Sequence, residues 1–271
     1  MRTNTTYITF PIALFKSGFQ DIQAALRDAI DYAGYARAAK FEYGDDAKKM
    51  KAAGKQLQIT YGDPQRDFEN GKRLYDLHAG TPMTSISATI LFDYYDNVKS
   101  DFQIAALMGF AAVRSILQTK SFCKTNKRHI HARMFGYASI KKMPDPSAYN
   151  EAEKKYALRW HMDKVLRELE HNWGLKTFSN HTRGLYIGFQ VEYETLARVN
   201  EEKKIKTKAE NLKKVKAAAL DAARLKTTAP ASQPGHRWKT IADIFPDTLP
   251  DTFHVPVGAT VHGNNNNTPQ V

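Results

Sequence analysis

The segment from Tyr156 to Val191, YALRWHMDKVLRELEHNWGLKTFSNHTRGLYIGFQV, constrains the fold more than any other stretch of this 271-residue chain. Leu158, Met162, Val165, Leu166, Leu169 and Trp173 recur at the spacing of one apolar helix face. At roughly 100° per residue, Trp160, Lys164, Arg167 and His171 gather on the opposite face, within about 60° of one another. One amphipathic helix is therefore expected from Tyr156, with a cationic stripe facing outward and Gly174 closing its C-terminus. Leu175–Phe178, a polar tip SNHTRG and an alternating strand follow, the last with Leu185, Ile187, Phe189 and Val191 on one face. Core packing uses only one side of this helix and hairpin, so the basic side is left for a partner.

The placement of charge points the same way. The net charge is +12. Residues 1–119 hold 14 Lys+Arg against 13 Asp+Glu, residues 120–191 hold 14 against 6, residues 192–229 hold 10 against 6, and residues 230–271 hold 2 against 3. Two thirds of the excess thus coincides with the helix and hairpin, which is the electrostatic footprint of a polyanion binder. A single cysteine, Cys123, excludes an internal disulfide framework and a cysteine-rich zinc site, and fits a reducing cytoplasm. No apolar run reaches the roughly 18 residues of a membrane span. The opening, MRTNTTYITFPIALFKSGF, is broken by Pro11 and Lys16 and reads as a strand or short helix rather than a signal peptide.

Residues 1–99 read as an α+β extension. A β-leaning run over residues 7–16 precedes a helix from Phe19 to about Lys40, with Ile22, Leu26, Ala29, Ile30 and Ala33 on one face. Residues 41–56 are charged and read as a loop or short exposed helix, and Leu57–Tyr61 as a strand. Asp63 caps a helix with Pro64 at its first position, carrying Phe68, Leu74 and Tyr75 inward. His78–Met83 reads as a linker and Ser85–Tyr95 as a further buried element.

Ser100-Asp101-Phe102-Gln103 has the form of a capping box, and the body that follows to Leu117 carries only one charge, Arg114, as a central buried helix does. Lys120–Lys124 leans toward β structure. Thr125 is expected to cap a second helix, TNKRHIHARMFG, with Ile130 and Met134 inward and Gly136 at its end. The order helix, strand, helix, long helix, strand, turn, strand resembles the winged helix-turn-helix superfamily of DNA-binding domains over about residues 100–191. The resemblance implies that the third helix enters the major groove while the hairpin wing touches an adjacent groove or phosphates. One departure is the replacement of the usual tight turn by residues 137–155, in which Asp145-Pro146 or Asn150-Glu151-Ala152-Glu153 can start the third helix early.

Candidate DNA-binding residues lie on three elements. On the third helix they are Arg159, Trp160, Lys164, Arg167 and His171, since Arg and Lys donate to guanine edges. Trp160 is expected to pack against Tyr156 or the first helix rather than stack on a base. On the hairpin the candidates are Lys176, Asn180, His181, Thr182 and Arg183. At the start of the second helix they are Lys124, Thr125, Asn126, Lys127 and Arg128, where backbone N–H groups also favour phosphate. Asp163 and Glu168 flank the stripe and repel phosphate, and Glu168 and Glu170 are the acids that would pair with Lys164 and Arg167 on an ordinary solvated helix.

Catalysis is not expected. His129 and His131 lie two apart and face different sides of a helix, phosphate-loop and nucleophile-elbow motifs are absent, and Asp93, Asp96 and Asp101 read as a solvated edge. Neither a cofactor nor a metal is implied. Residues 192–229 read as a charged helix without an unbroken heptad, and residues 230–271 as a disordered tail. Within that tail, Arg237–Pro246 forms an apolar island suited to docking a protein partner or folding back. The expected fold is α+β and mostly helical, with a winged-helix core. The expected function is binding of double-stranded DNA, with a homodimer as one option, by a transcriptional regulator or replication initiator of a mobile element. RNA binding and protein–protein assembly are the alternatives.

Overall fold

The computed structural model describes residues 6–179 and 184–228, with side chains through Arg224. The fold is α+β and mostly helical. Described residues up to Ala209 form one compact unit and those from Glu210 a second.

In the first unit, β1 (Tyr7–Pro11) runs into a 3-10 turn over Ile12–Ser17, followed by α1 (Ile22–Ala38), α2 (Asp46–Leu57) and α3 (Pro64–Leu77). Then β2 (Met83–Ser87) returns antiparallel to β1, with Tyr7 opposite Ser87 and Pro11 opposite Met83. Local chemistry sets these boundaries. Asp21, Asp45 and Asp63 each accept a backbone N–H of the first turn of α1, α2 and α3.

Several local expectations are corrected here. The charged stretch before Leu57 is a helix that buries Met50, Ala53 and Leu57, because α1 and α3 supply the apolar surface its own sequence lacks. No strand forms at 57–61. Gln58 ends α2 in a left-handed conformation, and the Tyr61 hydroxyl donates to the Ile30 carbonyl at 3.1 Å. Helix α1 starts at Ile22 rather than Phe19, whose ring stacks on Phe135 and Tyr156 instead. Tyr75 stays at the surface against Tyr32 and Tyr35, and Met83 belongs to β2 rather than to a linker.

The chain continues through α4 (Ala88–Asp96) and α5 (Asp101–Leu117), whose capping box is formed by Ser100 and Gln103. Next come β3 (Phe122–Thr125), α6 (Lys127–Met134), α7 (Glu151–Ala157), α8 (Arg159–Asn172), β4 (Lys176–Phe178) and β5 (Leu185–Gly188). The last strand lies between the other two, so the sheet order is β3-β5-β4, antiparallel throughout. Asn126, not Thr125, caps α6, accepting from His129 N–H at 2.8 Å, because Thr125 is already committed to β3 opposite Leu185.

The helix expected to start at Tyr156 is two helices. Leu158 is extended, with ψ 132°, and stands 52% exposed instead of facing the core. Asn150 and Glu153 form a capping box for α7, whereas no side chain caps α8. Helix α8 is held from its apolar side: Met162, Val165, Leu166 and Leu169 are buried, and a Cβ on Gly109 of α5 would stand 2.7 Å from Val165 Cγ1. Most buried apolar residues of this unit share one core that includes Phe10, Leu26, Ile86, Leu107, Met108, Val165 and Ile187. Ala38, Met50, Ala53 and Phe68 form a smaller cluster where α1, α2 and α3 meet.

Helix α9 (Tyr193–Thr228) begins with the Tyr193 ring edge-on to Phe178 and with Leu196 and Asn200 buried. In the second unit Leu212, Val215 and Leu220 are exposed. Residues 230–271, with the apolar island at 237–246, lie outside the described residues. Among the described residues no helix is long and apolar enough to cross a membrane.

Two predictions test this packing. Gly109→Ala is expected to destabilise by about 1–3 kcal/mol through overpacking, and Val165→Ala to cost less in that background than in the native one, read by denaturant titration of the double-mutant cycle. Asp31, only 3% exposed, accepts from Asn70 Nδ2 at 2.8 Å, and burial above all raises its carboxyl from 3.8 to about 6, with Asp67 and Asp28 adding to the rise. An acid with a raised folded pKa binds protons on folding, so its contribution to stability falls as pH rises through that window. Asp31→Asn keeps the acceptor, and is expected to add about 1–3 kcal/mol near neutral pH and almost nothing by about pH 4, read by thermal melts.

Candidate nucleic-acid interface

The outward side of α8 is the basic stripe expected from its periodicity. Arg159, Trp160, Lys164, Arg167 and His171 are all exposed while the opposite face is buried. Glu168 accepts from Asn172 Nδ2 at 2.8 Å and Glu170 accepts from the Thr177 hydroxyl of β4. Neither acid pairs with Lys164 or Arg167, so the solvated-helix arrangement of ion pairs is not what the structure contains. His171 donates Nδ1–H to the Arg167 carbonyl at 2.7 Å, since a carbonyl can only accept.

Trp160 does not pack against Tyr156. It is 52% exposed, its ring lies on His161 with centroids 3.3 Å apart, and Lys164 Nζ sits 4.7 Å from its ring centre. The Tyr156 ring instead meets Phe19 and the edge of His161, and these occupy the place expected for Trp160. Burial and the charges of Lys155 and Lys164 hold the His161 imidazole below its usual pKa.

Asp163 organises the middle of the face. Its carboxylate accepts from Lys127 Nζ at the start of α6 and lies 3.7 Å from Arg159 Nε. The expectation that Asp163 simply repels phosphate is therefore incomplete: its charge is matched, and two of the candidate cations are engaged by it. Lys127, Arg159, Asp163, Arg167, Glu170 and Thr177 line a groove of about 560 Å³ running between α8 and the hairpin, with Asn126, Ser179 and Gly184 along its edge. Gly184, at φ 103°, brings the hairpin against β3, where a Cβ would stand 2.5 Å from the Thr125 carbonyl.

The other candidates sit around this groove. Lys124 is exposed on β3, its Nζ 5.9 Å from the Tyr186 ring centre. Thr125 is buried, its hydroxyl 3.3 Å from His129 Nδ1, and is poorly placed to touch a partner. Arg128 is exposed but faces a second cleft rather than the groove, and Lys176 is exposed at the start of β4. Asn180, His181, Thr182 and Arg183 lie outside the described residues.

The residues considered for other chemistry have structural partners. His131 is buried and donates Nε2–H to the Glu153 carbonyl at 2.9 Å, and burial holds its pKa down. Cys123 is half-buried, and burial pushes its thiol up. Asp93 accepts from Lys99 and Asn97, which hold its carboxyl below the usual range. Among the described residues no group of three or more His, Cys, Asp or Glu side chains is placed to hold a metal ion. No protein-family model, curated protein or solved structure matches this chain.

Asp163→Asn frees Lys127 and Arg159 at once. It is expected to move elution from a heparin column to higher salt, whereas Arg167→Glu moves it to lower salt. Equal elution of Asp163→Asn and the native chain would mean that the two cations are not exposed to polyanions.

Proposed function

We propose that this chain binds double-stranded DNA with a winged-helix arrangement over about residues 100–191, α8 being the groove-entering helix and the β4–β5 hairpin the wing. The observation that carries the reading is the exposed stripe of Arg159, Lys164, Arg167 and His171, on the segment where the charge excess is concentrated. Among the described residues, Lys164 and Arg167 of that stripe have no acidic partner. The order α5, β3, α6, α7, α8, β4, β5 supports it, as apart from the inserted α7 this is the order of elements that carries the resemblance. In this reading Arg167 and Lys164 reach base edges, and Lys124 and Lys176 bind phosphate beside them.

Asp163 refines the reading. A carboxylate inside the groove accepts from a cytosine amino group but disfavours phosphate, so it selects register while Lys127 and Arg159 keep its charge from repelling the duplex. The exposed Trp160 favours a second reading, in which the same face stacks an unpaired base of RNA or single-stranded DNA.

Fluorescence anisotropy with random duplex DNA across a salt series tests both. The native chain is expected to lose affinity steeply with salt, and Lys164→Glu with Arg167→Glu to flatten the log–log slope by about 0.9 for each phosphate left without its cation. Tighter binding of single-stranded competitors, abolished by Trp160→Ala, would favour the second reading. Binding unchanged by the charge reversals would overturn both.

A further inference from the structure

On the far side of Lys127 and Arg159 from the groove lies a cleft of about 650 Å³, where the N-terminus of α6, the 137–155 insertion and the α7–α8 junction meet. Its walls are Pro146, Tyr149, Tyr156, Leu158 and Met162, and its rim carries Lys127, Arg128, Lys154 and Arg159. Among the described residues no carboxylate lines it. Asp163 engages Lys127 and Arg159 from the groove side, whereas no ion pair reaches Arg128 or Lys154 among the described residues.

At the back, His131 donates Nε2–H to Glu153, which leaves Nδ1 as an acceptor with no hydrogen bond among the described residues. Leu158, half-exposed at the break between α7 and α8, adds apolar surface to the same cleft. The insertion supplies Pro146, Tyr149 and Lys154, and so builds one wall of this cleft. A nucleic-acid backbone would use the rim and leave the walls bare. A neutral apolar molecule would use the walls and leave Arg128 and Lys154 unmatched.

We propose that this cleft binds a small organic anion, with an apolar body of about two rings between Tyr149, Tyr156 and Met162 and a carboxylate, sulfonate or phosphate head on Arg128 and Lys154. The charge-assisted bonds to the head supply selectivity and the aromatic walls supply affinity. The head-binding residues Arg128 and Lys154 lie outside the groove of the DNA reading, whereas Lys127 and Arg159 line both.

The test uses the full chain and a pair of fluorescent probes with the same body, 8-anilinonaphthalene-1-sulfonate and the neutral N-phenyl-1-naphthylamine. The sulfonate is expected to bind saturably, one per chain, and at least about tenfold more tightly than the neutral probe, as one charge-assisted bond suffices for that factor. Arg128→Glu with Lys154→Glu, both at exposed positions, is expected to remove that advantage while leaving the neutral probe's affinity and the helical circular dichroism unchanged. Ala157→Trp, filling the cleft from the exposed end of α7, is expected to weaken both probes. Absent or unsaturable binding, equal affinity for the two probes, or indifference to either variant would overturn the proposal.

Discussion

The orientation of α8 depends on how closely it approaches α5. Gly109 has no side chain where Val165 needs room, and the neighbouring Leu107, Met108, Ala111 and Ala112 are wholly buried. Interiors are packed densely enough that one added methyl at such a point moves a helix or strains it. The basic stripe on the opposite side of α8 is thus aimed by apolar packing rather than by the charges it carries. The sheet reinforces this placement, because β5 joins the hairpin to β3 and so ties it to the chain segment that leads into α6.

Electrostatics then divide the cations of this face into two kinds. Lys127 and Arg159 answer Asp163, while Lys164 lies over the Trp160 ring and Arg167 stands without an acidic partner among the described residues. Partly exposed ion pairs of this type contribute little to stability. Their effect here is on which surface remains positive. Formal charge alone would treat all four residues alike, whereas the structure sets Lys164 and Arg167 apart as the ones an approaching anion meets without competition.

Much of this was legible in the sequence where the signal is local. Asp63-Pro64, Ser100 to Gln103 and Asn150 to Glu153 mark helix starts because a capping side chain acts within one turn. The stripe on α8 was legible because periodicity reports which side a helix buries. Helix α2 was not, since Met50, Ala53 and Leu57 are sparse among lysines and their burial comes from α1 and α3. The break at Leu158 was hidden because apolar spacing continues through a single extended residue. At the candidate site, the exposed cations were legible but the tie between Asp163 and Lys127 was not, because the partners are 36 residues apart in sequence. Arg159, four residues before Asp163 on the same helix, was the one local hint.

The same break has an electrostatic consequence. A helix that begins without a side-chain cap leaves its first N–H groups turned outward, and these carry the positive end of the helix dipole, equivalent to roughly half an elementary charge. At α8 that fraction of a charge belongs to the peptide groups themselves and sits beside Arg159. The face therefore has a fixed component of its field that no basic side chain supplies. Neutralising every lysine and arginine on α8 would leave this component in place, whereas a capping oxygen introduced at Leu158 would engage just one of these N–H groups.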